Sequence, residues 1–196
     1  TRLFTLWGFL LSVTSICVFA AATPDHSAVK ASPRQGDWMK RHEQFNQKVK
    51  ANSGNIDLIF VGDSITQGWE GRGKNVWEKY YSHRKPLNLG IGGDRTQHVL
   101  WRLDNGNIEG IQPKVAVVMI GTNNSGNDRN SAGEIVDGIK AIVEKVGNNL
   151  TNLSYNDCTK CTDTALQSIV DHCPNLDLLY ANNAEVSKVP HNIGQR

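Results

Sequence analysis

Apolar residues in this chain fall into two kinds of stretch. Three are short and unbroken: Ile56–Gly62 (IDLIFVG), Leu87–Gly93 (LNLGIGG) and Val115–Ile120 (VAVVMI). Runs of this length with almost no polar interruption predict strands buried on both faces. Between them the apolar positions recur every three or four residues, which predicts helices. The first helix starts at Asp37, its expected N-cap, carries Trp38, Met39, His42, Phe45 and Val49 on one face, and stops in Asn52–Asn55. A second covers Val76–His83 with Trp77, Tyr80 and Tyr81, and a third follows Asp94 or Thr96 as cap, with Val99, Leu100 and Leu103 as its stripe and Gly106 as its stop. A fourth begins at Ser131, with Ile135, Ile139, Ile142, Val143 and Val146 facing one way and Glu134, Lys140, Glu144 and Lys145 the other.

Strands alternating with helices in this way predict an α/β fold, a parallel sheet covered on both faces with right-handed connections. Beyond Gly147 the pattern weakens. GNNLTNLSYNDCTKCTD is polar and aperiodic, TALQSIVDHC reads as a helix, LDLLYA reads as a fourth strand, and the last residues carry no strong signal. At the other end, Leu3–Ala22 is free of charges and closes on Ala20-Ala21-Ala22, as an export signal does, so residues 1–22 are expected to be a signal peptide. The stretch 23–36, TPDHSAVKASPRQG, reads as a linker, and 37–196 as a single domain. A chain of 196 residues has room for one full core. The net charge of +2 gives no reason to expect a nucleic-acid partner, and no stable membrane span is expected once the signal is cleaved.

All three unbroken runs end abruptly in a turn, at Gly62-Asp63-Ser64, at Gly92-Gly93-Asp94 and at Gly121-Thr122-Asn123. In a parallel sheet those turns share the carboxyl edge, where open α/β sheets present ligands. Ser64 is the nucleophile candidate. Gly93, through its backbone N–H, and Asn123, through its side-chain amide, stand where an oxyanion donor would be needed. Each tripeptide alone is also an ordinary strand-capping turn; three on successive strands favour a site.

GDSIT at 62–66, GIGGD at 90–94 and GTNN at 121–124 resemble the first three sequence blocks of the GDSL, or SGNH, hydrolases. NLGIGGDRTQHVLWRL at 88–103 is especially similar to catalytic subunits of platelet-activating-factor acetylhydrolases. The resemblance runs from about Trp38 to Val146. It implies a flavodoxin-like three-layer α/β/α sandwich, Ser64 as nucleophile, and an oxyanion hole made by the N–H groups of Ser64 and Gly93 and the side chain of Asn123. It also implies an exported serine esterase acting on a short-acyl ester of a small molecule, carbohydrate or lipid, with no metal or organic cofactor. The family's fourth block, an Asp-x-x-His pair that supplies the base, has no counterpart in the 196 residues. His191 follows Lys188 at that spacing and Asp171 adjoins His172, so both histidines are weak substitutes, and His98 lies in a block whose histidine is not the base. The expectation is a chain truncated or replaced at its carboxyl end. The rival reading is a binding module that keeps the cleft without the base.

Other signals are weaker. Gly68–Asn75 approaches a phosphate-binding loop, but Asn75 replaces the hydroxyl that would hold magnesium. Arg95 stands where a dinucleotide fingerprint needs its third glycine. Cys17 would leave with the signal. Cys158, Cys161 and Cys173 then admit one disulfide and a free thiol, or, with His172, a zinc site.

Overall fold

The computed structural model describes residues 24–128, 130–147, 152–156 and 178–182, the last two by their backbone. The expected signal peptide and Cys17, Cys158, Cys161, His172, Cys173 and His191 lie outside the described residues. Five strands, β1 (Leu58–Gly62), β2 (Pro86–Gly90), β3 (Val115–Met119), β4 (Asn152–Asn156) and β5 (Leu178–Asn182), form one sheet in the order β2-β1-β3-β4-β5. Every pairing is parallel, with Phe60 of β1 opposite Asn88 of β2 and Val117 of β3. This is the parallel sheet the sequence predicts, and β5 is its LDLLYA strand. β4 is an addition: NLSYN is poor in strand-forming residues, and the pairing it gains from β3 on one side and β5 on the other places it in the sheet.

Register assigns the side chains to faces. Ile59, Val61, Leu87, Leu89, Ala116 and Val118 point to one face, where they join a single buried apolar cluster with α1 (Asp37–Ala51), α4 (Thr96–Arg102) and α5 (Ala132–Val146). Trp38, Phe45 and Val49 come from α1, Val99 and Leu100 from α4, and Ile139, Ile142, Val143 and Val146 from α5. The other face carries Leu58, Phe60, Val115, Val117 and Met119, with α2 (Ser64–Gln67) and α3 (Lys74–Tyr80) on that side. Here Phe60 meets Trp69, Trp77 and Tyr81, with ring centroids 6.1, 4.9 and 5.1 Å away. Helices on both faces make the three-layer α/β/α arrangement. β3 departs from the expectation of burial on both sides, since Val115, Val117 and Met119 are only half-buried.

Three helix starts differ in detail from the sequence reading, and α3 begins at Lys74, two residues before the expected Val76. Gly36, at φ +68°, occupies the N-cap of α1 and Asp37 becomes its first helical residue. Arg95 takes the N-cap of α4, which frees the Asp94 carboxylate for the interior. α5 starts as expected: Glu134 N donates to Ser131 Oγ at 3.3 Å, and Ser131 N donates to Glu134 Oε2 at 2.8 Å. Residues 24–36 pack on α4 and α5, with Ala28 fully buried.

Candidate active site

β1 delivers Ser64. Gly62 can only be glycine, because a Cβ there would collide with the Thr66 side chain and the Met119 carbonyl. Asp63 then caps the short helix α2, its Oδ1 accepting from Ile65 N at 2.9 Å, so Ser64 becomes the first helical residue and is exposed. A first-turn N–H has no intrahelical acceptor. Among the described residues, Ser64 N and Oγ make no hydrogen bond.

β2 delivers the glycine turn. Gly90 lies so close to Thr66 and Gln67 that a Cβ would strike their backbone. Gly92 N donates to Gln67 Oε1 at 2.7 Å, and a Cβ on Gly92 would stand 3.8 Å from that of Ser64. The turn closes through Asp94 N donating to Ile91 O at 3.2 Å, with Gly93 exposed at φ +74°. Gly93 N, like Ser64 N, has no acceptor among the described residues.

β3 delivers Asn123, which joins the other two turns. Its Nδ2 donates to Asp94 O at 2.8 Å and to Asp63 Oδ2 at 3.2 Å. The three predicted residues, Ser64, Gly93 and Asn123, are thus gathered at one end of the sheet. Asn123 is placed there with both amide hydrogens already directed at protein oxygens, an arrangement that the sequence did not suggest.

The residues that support these turns were missed at the sequence level. Asp94, read as a helix cap, is fully buried: Trp38 Nε1 donates to its Oδ1 at 2.6 Å and Arg102 Nε to its Oδ2 at 2.9 Å. Arg102 is fully buried as well, and its Nη1 donates to Asn107 Oδ1 at 2.7 Å. Asn107 Nδ2 in turn lies 3.1 Å from His42 Nδ1, and the His42 ring stacks on Trp38 with centroids 6.0 Å apart. Asn124 is equally buried. Its Oδ1 accepts from Thr96 N at 3.0 Å and its Nδ2 donates to Gln97 Oε1 at 3.0 Å, which locks the β3 turn to α4. No local spacing signalled this pair, since Asp94 lies before the N-cap of α4 and Arg102 at its far end.

Burial pushes the Asp63 carboxyl above the ordinary carboxylate range, with the Ile65 N–H pulling the other way. Burial also pushes Asp94 up against the pull of Arg102 and Trp38. His42 is held below the usual imidazole range, first by burial and then by the Arg102 charge. A cavity of about 300 Å³ opens beside the serine, lined by Ser64, Ile65, Gly68, Trp69, Arg72, Gly73 and Met119. A larger one of about 540 Å³ lies at the start of β2, between Lys48, Trp77 and Leu87, and touches none of the three turns.

Among the described residues no histidine bonds to Ser64. His98 Nδ1 accepts from Arg95 N at 3.1 Å, His26 Nε2 faces Asp137 at 3.3 Å, and His42 is enclosed. Lys74, the lysine of the near-match to a phosphate loop, opens α3 and faces Glu78 at 3.8 Å. No group of three or more His, Cys, Asp or Glu that could hold a metal occurs among the described residues, and none of their helices is long and apolar enough to cross a membrane.

Comparison with known proteins bears on the family and the fold. The model of the GDSL-like Lipase/Acylhydrolase family matches residues 60–186. The chain is 46% identical over 114 residues to platelet-activating factor acetylhydrolase IB subunit alpha2 of Homo sapiens, covering 57% of this chain and 47% of that protein. It is 42% identical over 127 residues to the alpha1 subunit of Bos taurus, covering 62% of this chain and 52% of the relative. It therefore spans about half the length of the curated relatives it matches. A solved structure from Streptococcus pneumonia, described as a platelet activating factor, superposes with TM-score 0.50 at 19% identity, covering 73% of this chain and 74% of that one, a likeness of fold.

Proposed function

The chain belongs to the GDSL-like lipase/acylhydrolase family, and we propose that it is a serine esterase that hydrolyses a carboxylic ester through an acyl-enzyme at Ser64. The observation that carries the proposal is the meeting of three turns at one exposed hydroxyl, with the N–H groups of Ser64 and Gly93 unengaged among the described residues while the side chains around them are hydrogen-bonded. Ser64 Oγ attacks the ester carbonyl carbon, and the negative charge that develops on the carbonyl oxygen is taken up by Ser64 N–H and Gly93 N–H. Asn123 Nδ2 adds the third donor by yielding its 3.2 Å bond to Asp63 while keeping its 2.8 Å bond to Asp94 O. The tetrahedral intermediate collapses, the alcohol departs with a proton, and water repeats the sequence on the acyl-serine to release the acid. The Ser64 proton passes to a general base, and among the described residues no histidine bonds to Ser64.

The cavity beside Ser64, about 300 Å³ and walled by Ile65, Trp69 and Met119, has room for an acyl chain, and the similarity to proteins named acetylhydrolases favours a short one such as acetyl. The charge-free run Leu3–Ala22 supports export, and amino-terminal sequencing of secreted protein should read from Thr23.

A fluorophosphonate probe tests the proposal. Covalent labelling at Ser64, lost in Ser64→Ala, is expected. A folded but unlabelled chain rejects it in favour of the binding-module reading.

A further inference from the structure

The stretch ahead of α1 reaches the candidate site from outside the segment that resembles the family. Ala28 O accepts from Thr96 Oγ1 at 2.7 Å, and Ser32 N donates to Gln97 O at 3.2 Å, so this strap, which includes one 3-10 turn at Ser27–Val29, is fastened along α4. α5 is shaped to admit it, because a Cβ at Gly138 would meet the Ala28 carbonyl at 2.7 Å. The strap then delivers Arg34 to the glycine turn. Arg34 Nη1 donates to Gly92 O at 2.8 Å and lies 3.5 Å from Asp94 Oδ1. The same guanidinium nitrogen is the nearest atom to a Cβ built on Gly93, at 3.3 Å.

The Gly92 carbonyl and the Gly93 N–H belong to one planar peptide unit, with the two groups pointing in opposite directions. Whatever holds the carbonyl therefore aims the N–H. The peptide is flanked by glycine on both sides, and glycine tolerates both signs of φ, so this unit turns over more readily than any other near Ser64. Asp94, fixed by Trp38 and Arg102, anchors the far side of the clamp.

We infer that Arg34 is a positioning residue for ester hydrolysis: by clamping the Gly92 carbonyl against Asp94, it aims the Gly93 N–H at the oxyanion. The inference rests on the serine-esterase reading above. It also makes the strap part of the catalytic unit. The positive guanidinium on the carbonyl polarises the peptide and strengthens its N–H as a donor.

The test compares the full-length chain with Arg34→Ala, Arg34→Lys and Lys30→Ala, the last an exposed strap residue outside the clamp. Fluorophosphonate labelling rates at Ser64, kcat and KM for a short-chain aryl ester, and melting temperature are measured for each. Arg34→Ala is expected to slow labelling and lower kcat roughly tenfold to a hundredfold with KM unchanged, since small errors in donor placement cost that much. Millimolar methylguanidinium should restore part of the rate to Arg34→Ala and to no other variant. Arg34→Lys, which keeps one donor, should fall between, and it carries the comparison if the alanine variant does not fold. Lys30→Ala should match the wild type. Wild-type labelling by Arg34→Ala, or a rise in KM with kcat intact, overturns the inference alone. A rate loss that only follows melting temperature, without rescue, does the same. An unlabelled wild-type chain overturns the esterase reading, and this inference with it.

Discussion

Leu89 and Phe60 sit on opposite faces of the same sheet, and their surroundings have little in common. Leu89 is fully buried in the apolar cluster shared with α1, α4 and α5, and beside that cluster lies the polar group of Asp94, Arg102, Asn107 and His42, also buried. Phe60 is buried too, but its partners Trp69, Trp77 and Tyr81 are half-exposed, as are Val117 and Met119 beside them. The first face is closed on every side; the second is the one from which the cavity beside Ser64 opens. The closed face therefore holds the turns in place, and the open face supplies room for a ligand. Substitutions on the closed face should cost stability in proportion to burial, whereas those on the open face should cost less than their size suggests.

The largest difference is expected at Arg102. Arg102→Ala leaves the Asp94 carboxylate without its buried cation, with only the partly exposed Arg34 3.5 Å away, and breaking a buried pair in this way costs about 3–5 kcal/mol. Urea unfolding should show it, and Ser64 labelling should fall with it because Asp94 O anchors Asn123. A loss under about 1 kcal/mol would mean that the network is not what closes this face.

Next come two apolar truncations of unequal size. Ile142 on α5 is fully buried, so Ile142→Ala should cost about 3 kcal/mol in transfer and cavity energy. Trp77 is the larger side chain, yet it is only partly buried, and Trp77→Ala should cost only about 1–2 kcal/mol. An equal or greater loss at Trp77 would contradict the contrast between the faces. Below these stands Ser131→Ala, which removes the capping box of α5 and should cost about 1 kcal/mol with no change in labelling rate.

The sequence was legible where one local signal was enough. β1 and the Ser64 turn were readable because an unbroken apolar run can do little but form a buried strand, and its sudden end at Gly62 marks the edge. The Gly93 and Asn123 turns were readable for the same reason. Asp94 and Arg102 were not, because a charged pair looks solvated until the fold removes water from around it. Arg34 was hidden in a Pro- and Ser-containing stretch whose structure depends on contacts with α4 and α5 rather than on its own periodicity. β4 was missed because its ladder partners, not its propensity, make it a strand.

The smallest effect should appear on acidification. His42 is enclosed by Trp38 and Trp101, with ring centroids 6.0 and 5.0 Å away, and burial together with the Arg102 charge holds its pKa below the ordinary 6.5. In the unfolded chain the ring regains that ordinary value, so the unfolded state binds the proton more readily. The stability His42 contributes is therefore complete above about pH 6.5 and is lost as pH falls from there through the lower native value. One proton sets an upper slope of about 1.4 kcal/mol per pH unit. Unfolding free energies measured between pH 7.5 and 5 should decline more steeply in the parent than in His42→Gln, while Trp77→Phe on the open face should leave the pH profile as it is. A parent profile no steeper than that of His42→Gln would place the acid sensitivity elsewhere and remove the imidazole from the account of how the closed face is held.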